Sequence, residues 1–435
     1  MRPLRSFTRG GLSLRLQREW PLELPVRNAF LPVSAVVLLK QHAGSASRCL
    51  VSKGEFVREG MLIGKAESID QSAVHSPIPG IVREIRRIRL PTGGESEAVV
   101  IALEGFFDRL GKKQEKFLWS SMARNDVLQT LRDKGVVETD PPGAPLAEVL
   151  FRAKGVKLLI LNCIESEPWI RTETAALEAR AAEVLDGLRI ISASTEPGKV
   201  IIALDESEPE LAKKIENLTA LEEKSFECVR LKSRYPQDLP SRLLEAFSPR
   251  HQVGQKADSA LFVRPSTAIA AYDAIALAKP FIERYVTVGG GVVKRPAVLK
   301  VRIGTSIGDL FEECGGFLGN PDRIILGGPF RGLPSYDLDM PVSKTTNAIL
   351  ALSAEETKRG NTVPCIRCGR CKDVCPEGID PNAIYRRIDR SLIGAAFEFG
   401  LRECSICGLC GYVCPSRLPL VERFAAYKSM AETSR

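Results

Sequence analysis

Short runs of apolar residues, separated by turns that contain glycine or charged residues, dominate the amino-terminal quarter of the chain. Examples are VSAVVLL at 33–39, GMLIGKA at 60–66 and GIVREI at 80–85. Runs of this length, bounded by turn residues, are typical of β-strands rather than of helices. The pattern therefore predicts an all-β domain over residues 1–110.

The stretch from Lys53 to Ile85 reads KGEFVREGMLIGKAESIDQSAVHSPIPGIVREI, with glycine turns between its half-repeats. It resembles a barrel-sandwich domain of the biotinyl and lipoyl type. A carrier domain of that type needs a lysine at a hairpin tip to hold its prosthetic group. The corresponding turn, residues 69–72, is Ile-Asp-Gln-Ser. We therefore expect the scaffold without the carrier function.

Residues 117–260 alternate between buried-strand and helix patterns. The runs Val156–Leu161 and Lys199–Asp205 are continuous apolar segments of strand length. Between them, Thr174–Leu188 places alanine and leucine at helical spacing, and we expect that helix to end at Gly187. This alternation predicts a Rossmann-like α/β domain with a largely parallel sheet, whose ligand crevice lies at the carboxyl ends of the strands.

Residues 263–345 predict a second β-rich unit. The segment 285–316 gives a strand, a glycine turn, a second strand and a short helix that begins near Ser306. The run RIILGGPF at 323–330 predicts another buried strand, followed by a glycine turn. The unit resembles the small β-grasp-like (SLBB) module of soluble ligand-binding proteins and of respiratory flavoprotein subunits.

The number and spacing of the cysteines indicate which metal group the chain binds. Of twelve cysteines, eight fall in two runs, CIRCGRCKDVCP at 365–376 and CSICGLCGYVCP at 404–415. Each reads C-x2-C-x2-C-x3-C-P, the spacing that ligates [4Fe–4S] clusters, with the fourth cysteine of each run serving the other cluster. We therefore expect one cluster on Cys365, Cys368, Cys371 and Cys414. The other is expected on Cys404, Cys407, Cys410 and Cys375.

A structural zinc site is the alternative for any group of cysteines. Zinc sites use four ligands per ion, commonly two C-x2-C pairs or mixed Cys and His sets. Duplicated four-cysteine runs that each end in proline fit that pattern poorly. The spacing therefore favours one-electron relay between two iron–sulfur clusters.

Residues 357–430, which contain both runs, are otherwise rich in helix formers. Asp380-Pro381 can start a helix, because proline is favoured in the first turn. Ile384, Ile388 and Leu392 then recur every fourth residue, which predicts an apolar helix face. We expect a helical ferredoxin-type domain with two [4Fe–4S] clusters. The predicted fold class is therefore a multidomain α/β plus β protein in four parts.

The amino-acid composition and the net charge argue against several other classes of protein. The chain has 435 residues, 44% hydrophobic and 26% charged, which argues against wholesale disorder and a small disulfide scaffold. No apolar run reaches the roughly 18 residues of a membrane span, and the first residues lack the apolar core of a signal peptide. The net charge of +8 is dispersed and aromatic residues make up only 6%, so no nucleic-acid partner is expected. We expect a cytoplasmic location.

Taken in this order, the four parts resemble the C subunit of the Rnf electron-transport complex. The segments that carry the resemblance, besides both cysteine runs, include VHSPIPGIV at 74–82, LNCIESEPWI at 161–170, IERYVTVGGGVVKRP at 282–296 and DMPVSKTTNAILAL at 339–352. The resemblance implies a complex that couples electron flow between NADH and ferredoxin to ion movement across a membrane. It implies that this protein is the peripheral, FMN-bearing entry point for NADH on the cytoplasmic face of the membrane.

The same resemblance implies integral membrane and flavoprotein subunits as partners, together with a ferredoxin or ferredoxin-like subunit. A related cobalamin reductase has a similar domain order and is the alternative. Three hypotheses therefore differ in class: an NADH-oxidising enzyme subunit, a non-enzymatic relay and assembly subunit, and a cobalamin reductase.

The flavin loop departs from the family pattern, which is Gly-Gly-Ala-x-Phe-Pro-Thr with a lysine three residues later. Asp140 and Pro141 replace the two glycines, and Ala144, Leu146 and Val149 replace the phenylalanine, threonine and lysine. Glycines let backbone N–H groups approach a phosphate, whereas proline has no N–H and aspartate adds a negative charge. The loop therefore predicts weakened flavin binding.

Gly135 and Gly143 still allow this loop to be aligned with the family pattern. A second flavin signature of the family is present as Glu165-Ser166-Glu167-Pro168. The resemblance implies that these two carboxylates hold the hydroxyls of a flavin or nucleotide, and a solvated loop is the equal alternative. The candidate cofactor-binding residues are thus Glu165, Glu167, Gly135 and Gly143. Our hypothesis is that the chain keeps the electron relay and has weakened or lost flavin binding.

Overall fold

The structure, a computed structural model, describes residues 4–14, 25–107, 115–220, 226–247, 259–358 and 360–433. It contains, in chain order, a barrel-sandwich, a parallel α/β domain, a β-grasp-like module and a helical domain that carries both cysteine runs. Each part has an apolar core of its own. The predicted fold class is confirmed.

The amino-terminal strands are short, as the broken apolar runs predict. They are β1 (Arg27–Asn28), β2 (Ser34–Leu38), β3 (Arg48–Cys49), β4 (Phe56–Val57), β5 (Leu62–Lys65), β6 (Val74–His75), β7 (Gly80–Arg89) and β8 (Glu95–Leu103). One antiparallel sheet has the order β2-β8-β7-β4 and a smaller one the order β3-β5-β6. Their inward residues, such as Val37, Ile63 and Ile101, form the core between the sheets.

Two pieces of the interval 1–110 pack outside this barrel-sandwich. β1 pairs in parallel with β14 (Ala297–Arg302) of the β-grasp-like module. Residues 4–14, here termed the amino-terminal segment, lie against the α/β and helical domains: Phe7 is buried, and the Gly11 N–H donates to the Val374 carbonyl at 2.9 Å. The strands of the barrel-sandwich itself therefore span residues 34–103.

The α/β domain contains the alternation that the sequence predicts. Its elements are α1 (Arg124–Asp133), α2 (Leu146–Arg152), β9 (Leu158–Asn162), α3 (Thr172–Ala179), α4 (Ala181–Thr195), β10 (Lys199–Asp205), α5 (Pro209–Ala220), β11 (Glu227–Leu231), α6 (Pro240–Phe247), β12 (Ala260–Val263) and α7 (Pro265–Ala276). The sheet has the order β11-β10-β9-β12 and is parallel throughout. Its carboxyl ends therefore meet at one edge, termed the crevice below.

The helix predicted over Thr174–Leu188 is wrong in its bounds. The structure has two helices there, α3 and α4, and α4 continues through Gly187 to Thr195. Gly187 is required inside α4 because a Cβ atom would lie 2.0 Å from the Ala268 carbonyl oxygen of α7. The glycine permits close helix packing and does not end the helix.

The β-grasp-like module contains β13 (Glu283–Gly289), β14, α8 (Ile307–Glu313), β15 (Arg323–Leu326), β16 (Leu333–Ser335) and β17 (Ala348–Leu352). Its sheet has the order β1-β14-β13-β17-β15-β16. Helix α8 begins where predicted, because the Ser306 hydroxyl accepts the Asp309 N–H at 3.0 Å as an N-cap. The prediction that RIILGGPF starts with a buried strand is wrong: β15 is half-exposed because only the short strand β16 lies beyond it.

The helical domain consists of α9 (Ala354–Thr357), α10 (Arg370–Asp373), α11 (Pro381–Asp389), α12 (Ile393–Ala396), a turn that is kinked at Gly400 (Phe397–Leu401), α13 (Leu409–Tyr412) and α14 (Leu420–Thr433). The Asp380 carboxylate caps α11 by accepting the Ala383 N–H at 3.0 Å. Ile384 and Ile388 are buried as predicted. Leu392 is 53% exposed, contrary to the prediction, because α11 ends three residues before it.

Candidate functional site

The two cysteine runs fold into the same local shape. Arg367 and Ile406, at equivalent places, have positive φ angles of 56° and 52°, and Gly369 and Gly408 have 79° and 84°. A one-turn helix, α10 or α13, follows each glycine and carries the third cysteine. The fourth cysteine lies just beyond the helix and is buried in both runs. The sequence repeat is therefore also a structural repeat.

A cavity that is partly open to solvent lies at the second run. It is lined by Cys404, Cys407 and Cys410, and also by Cys375 from the first run. Apolar residues, among them Phe424, and the polar residues Glu377 and Ser405 form the rest of the lining. Four cysteines from both runs thus line one cavity.

The first run is more open to solvent. Cys365 and Cys368 are exposed, whereas Cys371 is half-buried and packs in the same apolar group as Cys414. The Asn382 side-chain amide donates to the Cys365 sulfur at 2.7 Å. Cys414 is close enough to Cys371 to interact with it electrostatically, and Cys404 and Cys410 belong to the same apolar group.

Burial determines the protonation of these thiols when no metal is bound. It raises the pKa of Cys371 and of Cys404 to about 11, and that of Cys375 and Cys407 above the usual range. Backbone N–H groups partly oppose this, as the Ile406 N–H does at Cys404. The thiols are therefore protonated near neutral pH, and cluster assembly must displace their protons.

A zinc ion would need a tighter arrangement. Within the described parts of the chain, no three His, Cys, Asp or Glu side chains converge closely enough to hold a single metal ion. A cubane spreads its four thiolate ligands over separate irons and fits a wider set of cysteines. Four cysteines from both runs lining one cavity therefore fit a [4Fe–4S] cluster at the second run.

The second run packs against the rest of the protein through three aromatic rings. The Tyr235 hydroxyl donates to the Cys407 carbonyl at 2.6 Å. The Phe330 ring lies between Tyr235 and Tyr412, with centroid distances of 4.7 and 5.3 Å. The sequence predicts the glycine turn at GGPF, but it does not predict the contact of Phe330 with the two tyrosines. Through it, the α/β domain and the β-grasp-like module both position the second run.

Among the predicted flavin residues, Gly135 and Gly143 both have positive φ, at 69° and 70°. A Cβ atom at Gly135 would lie 2.1 Å from the Ala73 carbonyl of the barrel-sandwich. At Gly143, it would lie 2.7 Å from a methyl group of Thr345. Contacts between domains therefore suffice to explain both glycines.

Glu165 is buried and serves the start of helix α3. Its carboxylate accepts the N–H groups of Glu173 and Thr174, both at 2.9 Å, and the Thr174 hydroxyl at 2.8 Å. These N–H groups belong to the first turn, where backbone donors have no partner within the helix. The solvated-loop interpretation is wrong for this residue.

Glu167 is equally buried and has its own partners. It accepts the Phe330 N–H at 2.9 Å and the Arg331 Nε at 2.7 Å. Burial raises its pKa, and Arg331 opposes that shift. Both carboxylates of the Glu-Ser-Glu-Pro signature are thus occupied by the protein itself.

The crevice contains an alternating series of charges, termed the charge chain: Asp140, Arg264, Asp238, Arg331 and Glu167. The Arg264 Nε lies 2.6 Å from Asp140 and its Nη2 lies 3.6 Å from Asp238. Arg331 joins Asp238 to Glu167. No sequence motif pointed to Arg264 or Asp238 as site residues, because they lie far from the flavin loop along the chain.

The residues at the crevice do not fit FMN. The guanidinium of Arg264 also donates to the Asn162 and Ile164 carbonyls, at 3.4 and 2.6 Å, so it occupies the end of β9. Asp140 adds a carboxylate at a position where the family pattern has a glycine, and Pro141 offers no N–H. No electron-transfer step through a flavin follows from this arrangement.

Comparison with protein families matches the domains in order. Residues 6–105 match the RnfC barrel sandwich hybrid domain and residues 132–263 the Nuo51 FMN-binding domain. Residues 285–334 match the SLBB domain, and residues 358–415 the 4Fe-4S dicluster domain. The family match to an FMN-binding domain thus stands beside a crevice whose residues do not fit FMN.

Curated relatives that match most of this chain are C subunits of ion-translocating oxidoreductase complexes. The relative from Rhodobacter capsulatus is 31% identical over 97% of this chain and 83% of its own length. The C subunit of a proton-translocating ferredoxin:NAD(+) oxidoreductase complex from Clostridium ljungdahlii is 29% identical over 88% and 84%. The relative from Pseudomonas aeruginosa is 31% identical over 86% of this chain and 49% of its own length. Among the described residues, no helix is long and apolar enough to cross a membrane.

Proposed function

Because the chain belongs to the family of C subunits of ion-translocating oxidoreductase complexes, we propose that it is the electron-transfer subunit of such a complex. Its domain order and its dicluster domain support this function. The protein would work at the cytoplasmic face of the membrane as a peripheral component. Its partners would be integral membrane and flavoprotein subunits, and a ferredoxin or ferredoxin-like subunit.

The proposed ligands follow the crossed pattern of the two runs. One cluster is held by Cys365, Cys368, Cys371 and Cys414, and the other by Cys404, Cys407, Cys410 and Cys375. The observation that carries this assignment is that Cys375 lines the same cavity as the three cysteines of the second run. When bound, each cluster supplies one-electron redox chemistry.

The protein's own residues prepare these sites in different ways. Apolar side chains such as Phe424 line the second cavity and would lower the local dielectric around bound thiolates. Backbone N–H groups near Cys404 and the Asn382 amide near Cys365 donate to sulfur and so stabilise its negative charge. The two clusters therefore differ in surroundings although their loops share one shape.

Among the competing hypotheses, the non-enzymatic relay is favoured by the charge chain. A relay needs the clusters and partner surfaces, but no flavin in the α/β domain. No feature of the crevice favours direct reduction of a corrinoid. We expect the isolated protein not to accelerate cob(II)alamin reduction in a soluble assay with NADH.

The test of the ligand assignment is Cys375→Ser, examined by EPR in the anaerobically reconstituted and dithionite-reduced protein. Reference spectra come from Cys365→Ser and Cys404→Ser, which each affect one cluster in either ligand scheme. We expect Cys375→Ser to reproduce the spectrum of Cys404→Ser. Cys228→Ser, outside both runs, is the matched control and should leave both signals unchanged. A Cys375→Ser spectrum like that of Cys365→Ser would overturn the crossed assignment.

A further inference from the structure

The crevice of the α/β domain is a built charge network rather than an empty cofactor site. Three carboxylates and two guanidiniums alternate along the charge chain, so each charge has an opposite neighbour. Glu167 and Asp238 are nearly fully buried, at 4 and 5% exposure. Buried charges persist only where they are paired, and here the chain supplies all the partners from its own residues.

Arg264 is the central member of this network. It precedes α7 as its N-cap, so its guanidinium lies at the helix end where an anion is favoured. Its guanidinium forms ion pairs with Asp140 and Asp238. It also donates hydrogen bonds to the carbonyls of Asn162 and Ile164, at and just beyond the end of β9. A dianionic phosphate could use this cation only by displacing Asp140.

Asp140 and Pro141 stand where the family pattern has its glycine pair. The Asp140 side chain is half-exposed at the mouth of the crevice, whereas Arg264 behind it is 10% exposed. The next residue is also a proline, Pro142, so two successive positions of the loop offer no N–H. The loop has therefore exchanged phosphate donors for an internal anion.

We propose that the charge chain permanently occupies the crevice in place of FMN, with Asp140 as the internal substitute for the flavin phosphate. This inference rests on the proposed electron-relay function and deepens it. The α/β domain then serves as a scaffold that positions the second cysteine run through Arg331 and Phe330. NADH has no flavin in this chain through which to pass its electron pair to the one-electron clusters.

The structure indicates how the crevice could be reopened. Removing the half-exposed Asp140 carboxylate leaves Arg264 with Asp238 and two carbonyl acceptors, so the variant keeps most partners of this buried cation. Asp140→Gly/Pro141→Gly would also restore an N–H at position 141. The freed guanidinium and the new donor would then both be available to a phosphate.

The test is a titration of reconstituted protein with FMN, followed by quenching of flavin fluorescence and by flavin retained through gel filtration. We expect the wild-type protein to bind FMN only weakly in the titration and to retain none through gel filtration. Asp140→Gly/Pro141→Gly should bind FMN about tenfold to hundredfold more tightly than wild type, as expected for one regained charge-assisted contact. Asp133→Gly, an exposed carboxylate seven positions earlier, is the matched control and should bind FMN no more tightly than wild type.

Each result decides the proposal. Stoichiometric FMN on the wild-type protein would overturn it, whatever the variants do. A folded double variant that binds FMN no more tightly than wild type would show that the charge chain is not the barrier, and would also overturn it. If the double variant fails to fold, the milder Asp140→Gly takes its place. Cluster absorbance and its bleaching by dithionite, measured on the same samples, report separately on the electron-relay function.

Discussion

The cavity at the second cysteine run and the crevice of the α/β domain are both places where the family pattern predicts a cofactor, yet they differ in content. The cavity is lined by four cysteines that come from both runs. The crevice is filled by ion pairs, with Arg264 between Asp140 and Asp238. A fold can therefore keep the architecture of a cofactor domain while its residues serve only packing and charge balance.

The two regions are joined by the turn between β15 and β16. Arg331 belongs to the charge chain, and the adjacent Phe330 packs between Tyr235 and Tyr412 beside the second run. The ion pairs of Arg331 in the crevice thus also hold Phe330 in place, and the second cysteine run packs against this ring. Substitutions on either side of this turn separate the two effects.

The largest expected effect is that of Arg331→Met. It would leave the nearly fully buried Glu167 without a cation, and the equally buried Asp238 with only Arg264 at 3.6 Å. We expect a loss of about 3 kcal/mol in the free energy of unfolding, because unpaired buried charges are strongly unfavourable. Anaerobic urea unfolding followed by circular dichroism measures it. Arg323→Met, which removes an exposed pair with Asp322 at 3.6 Å, is the control and should change stability by less than about 1 kcal/mol.

The next effect concerns the amino-terminal segment beside the second cluster. Gly10 has φ of 58°, and a Cβ there would lie 2.5 Å from backbone atoms of Cys375. Gly10→Ala should lower stability by roughly 2–3 kcal/mol and speed the loss of the second cluster in air. Gly54→Ala is matched, with φ of 88° and no atom within 4 Å, and should show only the backbone strain of about 1 kcal/mol. Equal effects of both changes would mean that the segment does not protect Cys375.

Tyr235→Phe removes the hydrogen bond to the Cys407 carbonyl while keeping the ring against Phe330. We expect a loss of about 1 kcal/mol, and a change in the EPR spectrum of the second cluster only. Tyr412→Phe, which removes an exposed hydroxyl from the same ring group, is the control. A change confined to the first cluster would contradict the proposed position of the second.

The smallest expected effect is on pH dependence near the crevice. Burial, aided by Asp140, raises the pKa of Glu138 to about 7 from its usual 4.5. The folded state then binds more protons than the unfolded state between about pH 4.5 and 7, so this group's contribution to stability falls as pH rises through that window. Glu138→Gln should flatten the pH profile and gain about 1 kcal/mol above pH 7, as urea titrations at several pH values would show. An unchanged profile would contradict the shifted pKa.

Features set by nearby residues could be predicted from the sequence. The spacing of the cysteine runs, the Ser306 cap of α8 and the Asp380 cap of α11 depend on residues a few positions apart. Local backbone preference and hydrogen bonding determine such features, so the sequence pattern is sufficient.

Features set by distant residues could not be predicted. Asp140 accepts a hydrogen bond from Arg264, which lies 124 positions later in the chain. Tyr235 donates one to the carbonyl of Cys407, 172 positions later. For Glu165, the motif predicts either a ligand contact or a solvated loop, whereas in the fold its carboxylate caps α3. Even Gly187 was misjudged, because only the approach of Ala268 explains a glycine within α4.

The most direct test of the central claim is an anaerobic NADH titration of the reconstituted protein with added FMN, following the visible absorbance of the clusters. A parallel titration with dithionite establishes that both clusters are reducible. We expect dithionite to bleach the clusters and NADH to leave them oxidised, because the closed crevice holds no flavin. Bleaching at about one NADH per two clusters, the ratio for a two-electron donor and one-electron acceptors, would contradict the account.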